Sequence, residues 1–267
     1  MNPAPEPYEI FAVRYAQRDG TRNDNLLFHD PHDGPMDLDY FVWAIVGNGR
    51  TILLDTGYGP EVAKLRGHNW LMGPEEGLRR IGIAPESVQH IIISHLHNDH
   101  CGNLEKFPNA RIYLQDREMR YATGRFMANK RIGRSFHLPY VKTMIRAIYD
   151  ERVDFIDGDH NVAPGIEVYR TGGHTDGLQF ARVWTKRGWV VLAADASHFY
   201  ENVAEQQPYR TVFSVGDMLE GHRKIMRLAG SIDYVVPGHD PQVMHLYPAV
   251  SKDAEGIAVR LDVQPAK

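Results

Sequence analysis

Residues 91–103 read IIISHLHNDHCGN. Three β-branched residues, Ile91, Ile92 and Ile93, run into Ser94, and His95, His97, Asp99 and His100 then arrive within six positions. An apolar run ending in a dense set of nitrogen and oxygen donors reads as a buried strand feeding a metal site. His95 and His97 are two positions apart, so on extended backbone their side chains point the same way. Asp99 and His100 follow where Asn98 and Gly102 suggest a turn. Imidazole and carboxylate without thiolate suit zinc and related first-row metals. A lone histidine is usually a surface or hydrogen-bonded core residue, but four donors at this spacing ask for a cation.

The H-x-H-x-D-H pattern after an apolar strand resembles the signature of the metallo-β-lactamase superfamily. Further matching elements follow in order: His174 in TGGHTDG, Asp195 in WVVLAADAS and His239 in YVVPGHD, with Asp55 upstream in TILLDTG. The match spans roughly residues 40 to 245. The resemblance implies an α/β fold, a four-layer αββα sandwich with the metal site at one edge of the two sheets. It also implies a ligand assignment: His95, His97 and His174 on one metal, Asp99, His100 and His239 on a second, and Asp195 bridging them. Two Zn(2+) are the expected cofactors, with Fe, Mn or Co as alternatives. Two neighbouring cations lower the pKa of a shared water and supply a hydroxide nucleophile near neutral pH, so the expected reaction is metal-assisted hydrolysis. Asp99 is the candidate proton carrier to the leaving group. Asp55, a buried carboxylate at a strand end, is expected to hold ligand loops in place.

Within the superfamily the residues favour one branch. His97 stands where the oxygen-reducing diiron flavoproteins carry Glu, and Asp195 stands where common zinc β-lactamases carry Cys or lack a bridge. Residues 240–267 are expected to be too few for the helical domain of glyoxalase II. What remains resembles the N-acyl homoserine lactonase group, which implies hydrolytic opening of a lactone or other cyclic ester. One position departs from that group: its Tyr three residues after the bridging Asp is His198 here, followed by Phe199 and Tyr200. His198 or Tyr200 is therefore the candidate donor to a substrate oxyanion. Alternatives are a hydrolase of another ester, carbamate or cyclic amide, a mononuclear iron enzyme of the persulfide dioxygenase type, and a non-catalytic binding protein.

Composition narrows the partners. The 267 residues are 43% hydrophobic and 24% charged with net charge −4, ordinary for a soluble globular protein and without a nucleic-acid footprint. The single cysteine, Cys101, excludes an intrachain disulfide and reads as a small buried residue beside the ligands. The first residues lack the apolar run of a signal peptide, and no stretch is long enough to span a membrane. The expectation is a cytoplasmic enzyme acting on a small molecule, with a homodimer compatible with the reading. Of 14 histidines, the expected ligand set absorbs His95, His97, His100, His174 and His239.

Taken in order, strands are expected at 8–15, 39–47, 51–55, 89–94, 110–115, 152–156, 165–171, 178–185, 188–194 and 232–236. Helices are expected at 60–66, 74–82, 116–122, from Pro139 to about 149, at 216–229 with Leu219, Ile225, Met226 and Leu228 inward, and a short one from Asp99 or His100. Residues 17–37, with His29 and His32, read as a solvated loop. Residues 116–150 read as a helical insertion beside the site, with Phe126, Met127, Phe136, His137 and Tyr140 as candidate pocket wall. The tail after about 250 is expected to be peripheral. No linker or repeat is visible, so residues 1–267 are expected to form one domain.

Overall fold

The computed structural model describes residues 6–266. A first sheet contains β1 (Glu9–Arg18), β2 (Leu38–Gly47), β3 (Arg50–Leu54), β4 (Asn69–Trp70), β5 (His90–Ile92), β6 (Arg111–Gln115), β7 (Val153–Ile156) and β13 (Ala258–Arg260). Its order is β13-β1-β2-β3-β5-β6-β7, with β4 beside β1. The second contains β8 (His160–Ala163), β9 (Ile166–Arg170), β10 (Gln179–Thr185), β11 (Gly188–Ala194) and β12 (Val235–Pro237), in the order β12-β11-β10-β9-β8. The β2–β3 hairpin turns at Asn48-Gly49, both at positive φ, as tight hairpin turns require.

Side-chain alternation builds the layers. In β11, Val190, Leu192 and Ala194 join a core shared with Ile10, Trp43, Ile52 and Ile92 of the first sheet. The intervening Val191 and Ala193 face outward, against Val203 and Ile225. These two belong to α7 (Tyr200–Ala204) and α8 (Val215–Ala229). On the outer face of the first sheet, Leu53, Ile91, Ile112 and Leu114 pack against Val62, Leu78, Ala122 and Met144. Those come from α2 (Pro60–Arg66), α3 (Pro74–Arg80), α4 (Asp116–Thr123) and α6 (Leu138–Tyr149). The result is the αββα sandwich.

Several local expectations are corrected. No helix starts at Asp99 or His100; that stretch is a turn, and a single 3-10 turn follows at Leu104–Lys106. The loop before β2 contains one helical turn, α1 (Arg22–Asn25), capped by Thr21. The edge strand β8 has no alternating apolar signal and forms through its pairing with β9. Residues 232–234 are a 3-10 turn rather than strand. The buried side of α8 is Met218, Gly221, His222 and Ile225, with Met226 and Leu228 partly buried against the same core, and Leu219 lies outside it. The tail is not peripheral: β13 pairs with β1, and Leu261 is fully buried. Between α4 and α6 lie a 3-10 turn at Arg125–Ala128 and α5 (Lys130–Gly133).

Candidate metal centre

The site forms where strand ends from both sheets meet. β3 and β5 run parallel in one sheet, and β11 and β12 run parallel in the other. Asp55 directly follows β3, the His95–His100 segment follows β5, His174 sits between β9 and β10, Asp195 follows β11 and His239 follows β12. Two of these exits use left-handed backbone: Asp55 has φ 65° and Ala194, just before Asp195, has φ 43°. Non-glycine residues hold such angles at a cost of order 1–3 kcal/mol, and such strain collects at functional sites. Gly238 lets β12 approach β11 closely, since a Cβ there would lie 2.5 Å from the Ala194 carbonyl oxygen.

The fold brings all seven expected ligands together. His95, His97 and His174 offer ring nitrogens within 4.8 Å of one another, as do Asp99, His100 and His239 with their carboxylate and ring atoms. Asp195 lies between the two groups. Its Oδ1 is 3.1 Å from His100 Nε2 and 3.0 Å from His239 Nε2. Its Oδ2 is 3.1 Å from His174 Nε2 and 3.8 Å from His95 Nε2.

The outer nitrogens of four of these imidazoles are engaged. His100 Nδ1 is 2.7 Å from Asp55 Oδ2, His174 Nδ1 is 2.6 Å from the Thr211 carbonyl, and His239 Nδ1 is 2.9 Å from the Asp39 carbonyl. A carbonyl only accepts, so Nδ1 of His174 and His239 must carry the proton and Nε2 keeps its lone pair toward the centre. His95 Nδ1 contacts Ser94 Oγ at 3.0 Å. Inward, Nε2 of His95, His100 and His174 and Oδ1 of Asp195 are buried without a hydrogen-bond partner. Buried polar atoms are almost always satisfied. Four unpartnered atoms converging from three separate segments are donors arranged for a cation, and the residues fit the metals that the donor chemistry suggests.

Electrostatics agree. Burial pushes His95 and His97 well below the ordinary imidazole range, which leaves both neutral, as ligands must be. Burial opposes charge on His100 as well, yet Asp195, Asp99 and Asp55 around it outweigh that and hold its pKa high. Three carboxylates around one ring amount to a local demand for positive charge.

The surrounding contacts include residues the sequence reading missed. Asp55 accepts from Ser94 N and Ser94 Oγ, both at 2.7 Å. Glu118 of α4, fully buried, accepts from Leu96 N at 2.9 Å, Thr175 Oγ1 at 2.6 Å and Gly177 N at 3.1 Å. One carboxylate thus clamps the loop of His95 and His97 to the loop of His174. Tyr209 stacks on His198 at 3.6 Å between ring centroids and donates its hydroxyl to the Asp195 carbonyl. Tyr15 donates to the Asp99 carbonyl at 2.8 Å. A Glu in an amphipathic helix and a Tyr in an aperiodic stretch give no sequence signal of these roles.

His198 Nε2 lies 2.9 Å from Asp195 Oδ2, so its polar edge is turned to that carboxylate. Tyr200 does not reach the site. Its ring packs on the core between the sheets, its buried hydroxyl lacks a partner, and only its backbone N–H, donated to Asp240, faces this region. Cys101 is buried and donates to the His97 carbonyl. His29 and His32 are exposed.

A cleft of about 760 Å³ opens over the centre and includes His97, Asp99, His174, Asp195, His198 and His239. Of the aromatic wall expected from residues 116–150, Phe136 reaches the His97 ring, with centroids 4.7 Å apart. Phe126 packs instead on Tyr121 and Phe213, and Tyr140 accepts from Gly59 N. The cleft residues contributed by that segment are Arg131, Arg134 and Ser135.

This sandwich, with its strand-end cluster of His and Asp, places the chain in a known family. The Metallo-beta-lactamase superfamily pattern matches residues 36–249, and the chain belongs to that superfamily. Among its relatives, the N-acyl homoserine lactonase of Bacillus cereus is 34% identical over 133 residues, 49% of this chain and 48% of the relative. The chain thus spans about half the length of the first such relatives it matches. The N-acyl homoserine lactonase AttM of Azorhizobium caulinodans is 32% identical over 211 residues, covering 72% of this chain and 78% of the relative. A crystal structure of an N-acyl homoserine lactone hydrolase, with N-hexanoyl-L-homoserine at its catalytic metal centre, superposes with a TM-score of 0.75. It covers 90% of this chain and 96% of that one at 21% identity, which shows the shared fold.

Proposed function

We propose that the chain is a single-domain, dinuclear metal hydrolase, zinc-loaded, that opens the ring of a small lactone. The observation that carries this reading is Asp195, whose two oxygens face different groups of imidazoles. His95, His97 and His174 would hold one cation and Asp99, His100 and His239 the other, with Asp195 shared, and the cations would supply an activated water and polarise the substrate carbonyl. The chain's own groups do the rest. Asp99, with Oδ2 3.6 Å from His100 Nε2 and 3.8 Å from His239 Nε2, carries a proton to the oxygen that leaves as the ring opens. His198, turned to Asp195, positions that carboxylate rather than donating to substrate. The relatives named N-acyl homoserine lactonase support the lactone as the bond acted on.

Elemental analysis of the purified protein, paired with a lactone panel on the same sample, tests this. About two zinc per chain with ring opening is the expected result. A preparation that binds divalent metal yet opens no lactone overturns the substrate assignment, and one that binds no divalent metal overturns the whole reading.

A further inference from the structure

The cleft above the centre has an unusual wall. Five arginines line it: Arg18, Arg66, Arg131, Arg134 and Arg210. The only opposing carboxylates on the wall outside the ligand set are Asp19 and Asp24, and its only hydrophobic side chains are Leu38 and Tyr40. The chain as a whole is net negative at −4, so this positive wall runs against the overall balance.

None of the five arginines has a carboxylate partner among the described residues. Three are held by neutral acceptors instead. Arg18 Nη2 donates to Asn25 Oδ1 at 2.6 Å, Arg210 Nη1 donates to the Asn23 carbonyl at 2.7 Å, and Arg66 Nη2 donates to the Arg134 carbonyl. That last contact joins α2 to the segment between β6 and β7. Neutral acceptors orient a guanidinium without cancelling its charge. Nε of both Arg18 and Arg66 is buried without a hydrogen-bond partner.

Arginine presents a planar fork that matches a carboxylate through two parallel hydrogen bonds. Five guanidiniums against two carboxylates leave this wall positive, like charges around one cleft repel, and an anion between them relieves that repulsion. A long acyl chain, by contrast, would find almost no apolar surface to cover here.

Resting on the lactonase reading above, we infer that the substrate is a polar lactone carrying a carboxylate, which the mouth arginines hold while the ring carbonyl meets the metal centre. The arginines set specificity by charge, and the site discriminates against neutral lactones with aliphatic tails.

The test compares 5-oxotetrahydrofuran-2-carboxylate with its neutral carboxamide as substrates of the metal-loaded enzyme. It also titrates the enzyme with their ring-opened forms, 2-hydroxyglutarate and its 1-amide, by calorimetry. The acid is expected to exceed the amide about tenfold or more in kcat/KM and in product affinity at low salt. In the Arg134→Gln/Arg210→Gln double variant, and in wild type at about 0.5 M salt, the ratio should fall to within about threefold, because these exposed charges are screened. Equal handling of acid and amide by the wild-type enzyme overturns the inference, as does a preference that survives the double variant. If neither lactone is opened, the lactonase reading fails while the product titration still decides the anion preference.

Discussion

His239 and Asp39 exchange two hydrogen bonds. The imidazole Nδ1 of His239 donates to the Asp39 carbonyl, and the Asp39 N–H donates to the His239 carbonyl, both at 2.9 Å. Asp39 belongs to β2 of the first sheet, and His239 follows β12 of the second. This reciprocal pair therefore stitches the two sheets at the edge where the ligands converge. It also fixes the tautomer and the ring plane of His239.

Asp195 is the residue on which a shared site depends. Replacing it by Ala removes oxygens that face His100 and His239 on one side and His174 on the other. The expected outcome is about one cation or fewer per chain and loss of turnover by about a thousandfold or more. Elemental analysis and a lactone assay on one sample check it; full metal at full rate would remove Asp195 from the site.

His198→Ala should act through metal retention. Its Nε2 contacts Asp195 Oδ2 at 2.9 Å, and outer-shell partners of this kind are worth roughly 10–100-fold in metal affinity. Competition with a chelator reads the affinity directly. If turnover falls about 10²–10³ with affinity unchanged, His198 is instead the oxyanion donor that its position in the sequence suggests.

Glu118 makes a stability prediction. Glu118→Ala strands three buried donors, Leu96 N, Thr175 Oγ1 and Gly177 N, each costing about 1–3 kcal/mol when unpaired. A loss of at least about 3 kcal/mol is expected in denaturant unfolding. Glu118→Gln, which retains one acceptor oxygen, should lose less. A silent Glu118→Ala variant would show that the two histidine loops do not need the clamp.

His68 gives a pH dependence. Burial lowers its pKa to about 4, from 6.5, and its Nδ1 lies 2.8 Å from the Tyr58 hydroxyl. Between those values the unfolded chain binds more protons than the folded one, so this ring's contribution is intact above pH 6.5 and declines as pH falls toward 4. His68→Asn should flatten the stability profile in that window and leave it unchanged at pH 8. An unchanged slope would mean that other groups control it.

Much of this was legible in the sequence because it rests on covalent order. The candidate ligands sit at strand ends, and strand ends are marked by apolar runs that stop at polar residues: Ile91–Ile93 before His95, and Val190–Ala194 before Asp195. Asp55 is legible for the same reason, since a carboxylate closing the strand TILL has to find donors, and it finds Ser94 and His100. What stayed hidden depends on pairings between distant segments. Glu118 reaches Gly177 across 59 positions, and β8 exists only because β9 lies beside it. Tyr200 shows the limit of counting along the chain: its position after Asp195 suggested the cleft, but the first turn of α7 rotates its ring onto the core. The arginine wall comes from four separate places in the chain, and no local window contains it.

The segment between β6 and β7 has a wider consequence. These strands are parallel neighbours, so the chain must cross from the end of one to the start of the other, which takes a dozen or more residues. Residues 116–152 therefore cannot be deleted as an appendage, because they close the sheet. They also carry Glu118 at one end and Arg131 and Arg134 in the middle. α4, α6 and Phe136 pack on the core, and the Ser135 carbonyl accepts from Asn98, which leaves residues 125–134 the freer part of the segment to vary in charge. For the hydrolase proposed above, selection or an engineer would thus rewrite substrate preference within these residues while the strand-end His and Asp cluster stays in place.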